Sequence, residues 1–174
     1  MKNLNLVALS PIFLLFSCIK NQPETVKINN AFYDKAIEFR DKNRYDSAFL
    51  YYDKAKDFFL QKKDSSGSGK SFANMAYILY NQNDYLGAQE LSLKAVSYFD
   101  NTKTDQHKHL EFSYNNLGLA TEALANYQEA IRFYNKALKY SSNEILKFKI
   151  KSNIATSYRD LANYKKSIAI YNEI

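Results

Sequence analysis

Residues that interrupt helices or crosslink a chain are scarce in this sequence. Its 174 residues include 4 glycines, 2 prolines, 1 cysteine and no tryptophan. The chain also lacks alternating runs of Val, Ile and Thr between glycine-rich turns, which are typical of strands. The single cysteine leaves no possibility of a disulfide within the chain. We therefore predict an all-α protein that forms one domain of ordinary size.

The one phosphate-binding motif that the sequence suggests is incomplete. Residues 67–71, Gly-Ser-Gly-Lys-Ser, resemble the end of a phosphate-binding loop. Asp64 stands where the motif needs its first glycine, and its charge would repel phosphate. A predicted helix also precedes the segment, where the motif requires a strand. We instead predict a flexible loop from Asp64 to Gly69, with Ser68 or a neighbour capping the next helix.

The remaining titratable residues form no catalytic or metal-binding pattern. His107 and His109 lie in a predicted loop, 101–109, without a third ligand nearby, and we expect them to be solvated. No Ser-His-Asp or Cys-His set is apparent, and isolated carboxylates such as Glu122 and Glu129 are predicted on helix surfaces. We expect no enzyme activity, no cofactor, no metal and no small-molecule substrate.

The net charge of +6 at pH 7 is spread over the chain. No helix carries a concentrated stripe of Lys and Arg, which a nucleic-acid-binding surface would need. We expect no nucleic-acid partner, and at most a mild attraction to anionic surfaces or acidic peptides.

A short sequence motif, polar-Tyr-x-x-small, occurs four times in the chain. Its tyrosines are 40, 42 and 37 residues apart, at Tyr45, Tyr85, Tyr127 and Tyr164. Small residues recur nine residues before each tyrosine and three and ten residues after it, with only Ile174 larger. The two positions after the tyrosine are seven residues apart, and residues three, four or seven apart lie on one face of a helix. The columns are Ala36, Ala76, Gly118 and Ala155; Ala48, Ala88, Ala130 and Ser167; and Ala55, Ala95, Ala137 and Ile174.

This pattern resembles the tetratricopeptide repeat. The resemblance implies an α-solenoid, a right-handed superhelical stack of helix-turn-helix hairpins. It covers residues 29–174 as four repeats, about 29–66, 69–104, 111–143 and 148–174, the last one incomplete. The period exceeds the family's usual thirty-four residues, so we expect longer helices or inter-repeat loops at 64–69 and 101–109. The end at Ile174 within a second helix favours truncation of a longer chain.

The first residues resemble a bacterial lipoprotein signal. An apolar stretch, 6–16, is too short to span a bilayer and suits a secretion signal. It leads into Leu15-Phe16-Ser17-Cys18. The resemblance implies a signal peptide at 1–17, a lipid on Cys18, and a tether at 18–28. It predicts attachment to the membrane of the cell envelope, on the periplasmic side or at the cell surface.

One column suggests a binding surface. Eleven residues before the repeat tyrosines stand Asp34, Asn74, Asn116 and Asn153. An asparagine amide pairs with both the N–H and the C=O of an extended peptide, and tetratricopeptide repeats with Asn at this position bind peptides through it. The alternative is that these residues bridge helices or face water. The same faces offer as further candidates Tyr33, Tyr77, Tyr80, Asn115 and Arg159.

Two functions follow as predictions. The first is a lipid-anchored scaffold of the cell envelope that binds a peptide or protein on its concave face. The alternative is the extracytoplasmic sensor part of a longer signalling receptor or transcription regulator. A membrane helix and an effector domain beyond Ile174 would favour the receptor.

Overall fold

The computed structural model describes residues 30–174, and this part of the chain contains eight α-helices and no strand. The predicted signal peptide, the lipid site at Cys18 and the tether lie outside the described residues. The helices are α1 (Ala31–Asp41), α2 (Tyr45–Gln61), α3 (Ser65–Asn81), α4 (Tyr85–Ser97), α5 (His107–Ala123), α6 (Tyr127–Tyr140), α7 (Glu144–Asp160) and α8 (Tyr164–Asn172), with a short 3-10 helix at Thr104–Gln106.

Consecutive helices pack as four hairpins, α1–α2, α3–α4, α5–α6 and α7–α8. The first helix of a hairpin also contacts the first helix of the next, in the pairs α3–α5 and α5–α7. The first helices therefore line up along one face of the stack. The predicted α-solenoid is confirmed for the described residues.

The small-residue columns form the contacts between helices. Ala36, Ala76 and Ala155 are fully buried in the first helices, as are Ala48, Ala88 and Ala130 in the second helices. Gly118 is packed so closely that a Cβ there would lie 2.5 Å from the Tyr134 ring. Small side chains at these places allow two helix backbones to approach, and large side chains fill the remaining space.

The turns inside the hairpins share one backbone conformation. Each has a residue with positive φ after the first helix: Asn43, Asn83, Ala125 and Ala162. The next N–H then bonds back to a helix carbonyl, as from Arg44 to Phe39 at 2.9 Å. Asparagine tolerates this left-handed conformation, but alanine occupies it in the third and fourth hairpins.

The predicted loop at 64–69 is wrong, because α3 begins at Ser65. Asp64 caps the helix by accepting the Gly67 N–H at 2.9 Å. Lys63, with a φ of 55°, ends the preceding turn. Gly67 and Gly69 are buried, and a Cβ at either would collide with an aromatic ring of α2 or of the segment after α4. The glycines therefore allow close helix packing, and the extra helical residues lengthen the repeat.

The loop predicted at 101–109 is shorter than expected, because α5 begins at His107. His107 and His109 are both partly buried. The His109 ring stacks on Phe99, with 5.5 Å between the centroids. The expectation of two solvated histidines is therefore wrong.

Glu122 is also misplaced by the sequence prediction. Its carboxylate accepts the Tyr134 hydroxyl of α6 at 2.6 Å and the Ser157 hydroxyl of α7 at 2.9 Å. Tyr134 and Ser157 are both fully buried. Glu122 therefore joins the third hairpin to the fourth instead of facing solvent. Glu129 instead pairs with the exposed Arg132 at 2.9 Å.

Candidate functional site

An open cavity of about 630 Å³ lies between α5 and α7, the first helices of the third and fourth hairpins. We call it the α5–α7 groove. Its α5 wall contains residues at spacings of three and four, which place them on one helix face. The lining residues are Lys108, Glu111, Phe112, Asn115 and Leu119 from α5, and Leu146, Phe148, Lys149, Ile150, Ser152 and Asn153 from α7.

The groove has a mainly apolar lining. Phe112 and Leu119 lie on the α5 wall, and the Phe112 ring packs against Tyr77 of α3 with 6.1 Å between the centroids. On the α7 wall Ile150 is buried, whereas Leu146 is 39% exposed and Phe148 is 50% exposed. A ligand that covers these two side chains removes apolar surface from water, which favours binding.

Asn115 provides a polar group without a protein partner. Its Oδ1 is shielded from solvent, and no hydrogen bond reaches it from any described residue. Leaving a buried amide oxygen unpaired costs about 1–3 kcal/mol. A rotation of the side chain would turn this oxygen into the open groove, where water or a ligand donor can pair with it.

Glu111 lies at the inner edge of the groove and is only 7% exposed. Burial raises the pKa of its carboxyl, and a hydrogen bond with Ser141 opposes the rise. Glu111 was not among the predicted site residues, although it stands four residues before Asn115 on the same helix face.

Lysines line the groove and its surroundings. Lys108 and Lys149 belong to the lining, and neither forms an ion pair within residues 30–174. Lys70 of α3 lies near the N-terminal end of α5. Burial, reinforced by the charges of Lys70 and Lys108, lowers the pKa of His109 to about 4, so this histidine is neutral at pH 7.

The asparagine column divides into bridging and groove residues. Asn74 donates to the Tyr33 hydroxyl at 3.1 Å and accepts from Arg40 at 2.8 Å, which joins α1 to α3. Asn116 is 2% exposed and donates to the Ala73 carbonyl of α3 at 3.1 Å. Asn153 lines the groove. The amides of Asn74 and Asn116 form hydrogen bonds to neighbouring helices. The peptide-binding role of the column stays a prediction.

The other predicted site residues are also spread out. Tyr33 packs edge-on against Tyr52, and burial raises its pKa to about 12. Tyr80 packs against Tyr85 with 5.7 Å between the ring centroids. The exposed Arg159 pairs with Asp160 at 2.9 Å.

Tyr77 lies next to the groove without lining it. It borders a smaller recess of about 410 Å³, which Phe112 also borders. Of the predicted site residues, the structure brings only Asn115 and Asn153 together in the groove. The pattern of one Asn per repeat missed the apolar residues that form most of its wall.

Comparison with known proteins identifies the repeats. A family described as tetratricopeptide repeat matches residues 69–142. Residues 69–142 therefore carry tetratricopeptide repeats. No curated protein sequence matches it.

Solved structures with tetratricopeptide-like folds resemble the chain. BtubC (BKLC) from P. vanneervenii superposes with a TM-score of 0.70 at 18% identity, over 82% of this chain and 59% of that one. TPR-like repeats from Podosopora anserina give 0.63 at 14% identity, over 81% and 70%. MamA AMB-1 gives 0.51 at 17% identity, over 83% and 95%. At these identities the likeness shows a shared fold. This chain spans 59% of the length of BtubC.

In a tetratricopeptide repeat protein, the surface that the hairpins present to other molecules carries the function. The α5–α7 groove lies on the face of the stack along which the first helices line up. Within residues 30–174, no cluster of three or more metal-binding side chains is present, and none of the helices has the length and apolarity needed to cross a membrane.

Proposed function

We propose that this protein is a lipid-anchored scaffold of the bacterial cell envelope that binds a peptide or protein segment in the α5–α7 groove. The observation that carries the binding proposal is the open cavity of about 630 Å³, with apolar walls and the unpaired Asn115 Oδ1. A protein segment supplies both an apolar side chain and a backbone N–H, which suit these two features.

The shape of the groove supports an extended segment more than an isolated small molecule. It lies between two helices and is partly open to solvent, whereas small-molecule sites bury most of their ligand. The recess at Tyr77 continues the surface beyond Phe112. A segment lying across α5 has room to contact both places.

The anchoring part of the proposal rests on Leu15-Phe16-Ser17-Cys18. A diacyl or triacyl group on Cys18 would hold the chain stably on a membrane, since each buried methylene contributes about 0.8 kcal/mol. The sensor of a longer receptor stays the alternative prediction, and it too would use the groove for binding.

A displayed peptide library tests the binding proposal. We expect the protein to enrich peptides, and we expect Asn153→Trp, which fills the groove, to abolish capture of the enriched peptides. Asn135→Trp is the matched control, because Asn135 is exposed on α6, away from the groove. Enrichment that survives Asn153→Trp, or no enrichment at all, would refute binding in the groove.

Metabolic labelling with an alkyne-tagged fatty acid tests the anchor. We expect the label to enter the full-length chain in bacterial cells and the protein to appear in the membrane fraction. Cys18→Ser should abolish both results. A Cys18→Ser protein that is still labelled would contradict lipidation at this residue.

A further inference from the structure

We infer that one side of the first hairpin, α1–α2, lies against the membrane surface and binds anionic lipid headgroups. This inference rests on the proposed function, because the lipid on Cys18 brings the hairpin to that surface. The side concerned, which we call the α1–α2 face, combines three aromatic rings with three cations: Phe32, Phe39, Tyr51, Lys35, Arg44 and Lys54.

The first observation is a row of aromatic rings that reaches the protein surface. The Tyr51 ring lies 5.2 Å from the Phe39 ring and 6.4 Å from the Phe32 ring, measured between centroids. Phe32 is 43% exposed, and Phe39 and Tyr51 are partly exposed. Phe32 and Phe39 stand seven residues apart and therefore share one side of α1. Aromatic side chains at a protein surface are well suited to the boundary between lipid and water.

The second observation is the convergence of cations on two of these rings. The Lys35 Nζ lies 5.2 Å from the Tyr51 centroid and 5.9 Å from the Phe39 centroid. The Arg44 guanidinium lies 4.6 Å from the Phe39 centroid. The Lys54 Nζ lies 5.1 Å from the Tyr51 centroid. Every other ring that contacts a cation within residues 30–174 contacts one. Cations that share a ring repel each other, and an anionic headgroup between them relieves this repulsion.

The acids of α1 and α2 leave this charge largely uncompensated. Five of the six are held by side chains outside the α1–α2 face, and the sixth, Asp34, lies about 200° around α1 from Phe32. Unpaired lysines occur elsewhere on the stack, but here they coincide with exposed rings. The partners are Lys42 for Glu38, Arg40 for Asp41, Gln82 for Asp46, and Lys56 for Asp53 and Asp57.

The third observation is the short covalent distance from the proposed anchor. Ala31, the first residue of α1, stands thirteen residues after Cys18. A fully extended chain of that length spans at most about 45 Å. A lipid on Cys18 therefore keeps the first hairpin at a high effective concentration near the headgroups. Under this condition, a weak attraction between the α1–α2 face and lipid is sufficient to hold the face in contact.

Charge complementarity favours lipid over a second copy of the chain. In a two-fold symmetric dimer through the α1–α2 face, the same cations of both copies would meet across the interface. Like charges at close range raise the free energy of such a contact. Anionic headgroups carry the opposite charge, and the membrane interface also accommodates the rings.

Fluorescence quenching at the vesicle surface tests the inference. A nitrobenzoxadiazole probe is attached to the purified full-length protein through Gln61→Cys, because Gln61 is exposed and lines a recess together with Phe32 and Lys54. Asn135→Cys, on the exposed side of α6, provides the distant probe position. The vesicles contain phosphatidylglycerol and phosphatidylcholine, and some headgroups carry a quenching nitroxide. The parent protein, treated with the probe in parallel, gives the signal from any free Cys18 thiol.

We expect strong quenching of the probe at position 61 and little quenching at position 135. Quenching at 61 should weaken at high salt and in vesicles of phosphatidylcholine alone, because both conditions reduce the attraction between cations and headgroups.

A pair of charge variants tests the cations of the face. Lys35→Glu with Lys54→Glu should lower the ratio of docked to undocked protein by roughly tenfold or more. Lys94→Glu with Lys136→Glu is the matched control, which should leave the ratio nearly unchanged. It makes the same change in charge at exposed lysines that also lie over aromatic rings, in the second and third hairpins. Circular dichroism verifies that each variant is folded.

Equal quenching at positions 61 and 135, or none at 61, would overturn the inference, as would equal losses from the two double variants. Shielding of the probe at 61 in a dimer without vesicles would overturn it too, by showing that a second copy covers the face. The fatty-acid label separates these failures from failure of the anchor. A lipid-labelled protein without quenching at 61 keeps the anchor and refutes the contact, whereas an unlabelled protein that is quenched there refutes the anchor and keeps the contact.

Discussion

Glu122 connects two hairpins, and its removal tests how the stack is held together. The change is Glu122→Ala, which leaves the buried hydroxyls of Tyr134 and Ser157 without their acceptor. Hydrogen bonds to a charged group contribute about 1.5–3 kcal/mol each. The carboxylate is half-buried and regains some hydration in the unfolded chain, so we expect a loss of about 2–4 kcal/mol in the free energy of unfolding.

The assay is urea denaturation followed by circular dichroism. A loss of this size lowers the transition midpoint but leaves most domains folded, since their total stability is about 5–15 kcal/mol. Glu129→Ala is the matched control, because it removes a carboxylate that pairs with the exposed Arg132 near the start of α6. We expect the control to cost about 1 kcal/mol or less.

A double-mutant cycle locates the effect. Glu122→Ala is combined with Tyr134→Phe and separately with Ser157→Ala, which removes the acceptor and each donor in turn. If the carboxylate bonds to both hydroxyls, each combination should cost less than the sum of its single changes, by at least about 0.5 kcal/mol. Equal losses for Glu122→Ala and Glu129→Ala, with additive cycles, would refute the idea of a carboxylate that links the hairpins.

Three further predictions concern pH, packing and turns. The His109 pKa is lowered from 6.5 to about 4, so its contribution to stability is present above pH 6.5 and is lost as the pH falls toward 4, by at most about 3 kcal/mol. In urea titrations across this range, the free energy of unfolding should fall less steeply with decreasing pH for His109→Gln than for the parent. An unchanged dependence on pH would contradict the assignment. Gly118→Ala should destabilise by about 1–3 kcal/mol because its Cβ meets the Tyr134 ring at 2.5 Å, and a thermal midpoint at or above that of the parent would show that the ring moves aside. Ala125→Gly and Ala162→Gly should each raise stability by roughly 1 kcal/mol, because φ is 59° and 57° there; lower thermal midpoints for both would mean that glycine flexibility in the unfolded chain outweighs the relief of strain.

The repeat tyrosines and small-residue columns were sufficient to predict the hairpins. Ala48, Ala88 and Ala130 are buried where their spacing places them, because helix periodicity is a local property of the chain. The same reasoning failed at 64–69. Glycines there suggested a loop, whereas Asp64 caps a helix whose glycines pack against aromatic rings. At this point tertiary packing outweighs the low helix propensity of glycine.

The candidate site was only partly predictable. Asn115 and Asn116 are neighbours in the sequence, yet one lines the groove and the other bonds to the α3 backbone. Successive residues of a helix point about 100° apart, so the choice of face depends on where the neighbouring helices lie. Phe112 and Glu111 carried no repeat signature of their own and were missed.

By itself, the sequence determined the helical hairpins, their number and the small residues between them, since these follow from spacing along one chain. Only the tertiary structure decided that Asn74 and Asn116 join helices while Asn115 and Asn153 meet in a groove, and that Glu122 is held by Tyr134 and Ser157. The reason is that a side chain's partners come from hairpins distant in sequence, whose positions depend on the packing of the whole stack.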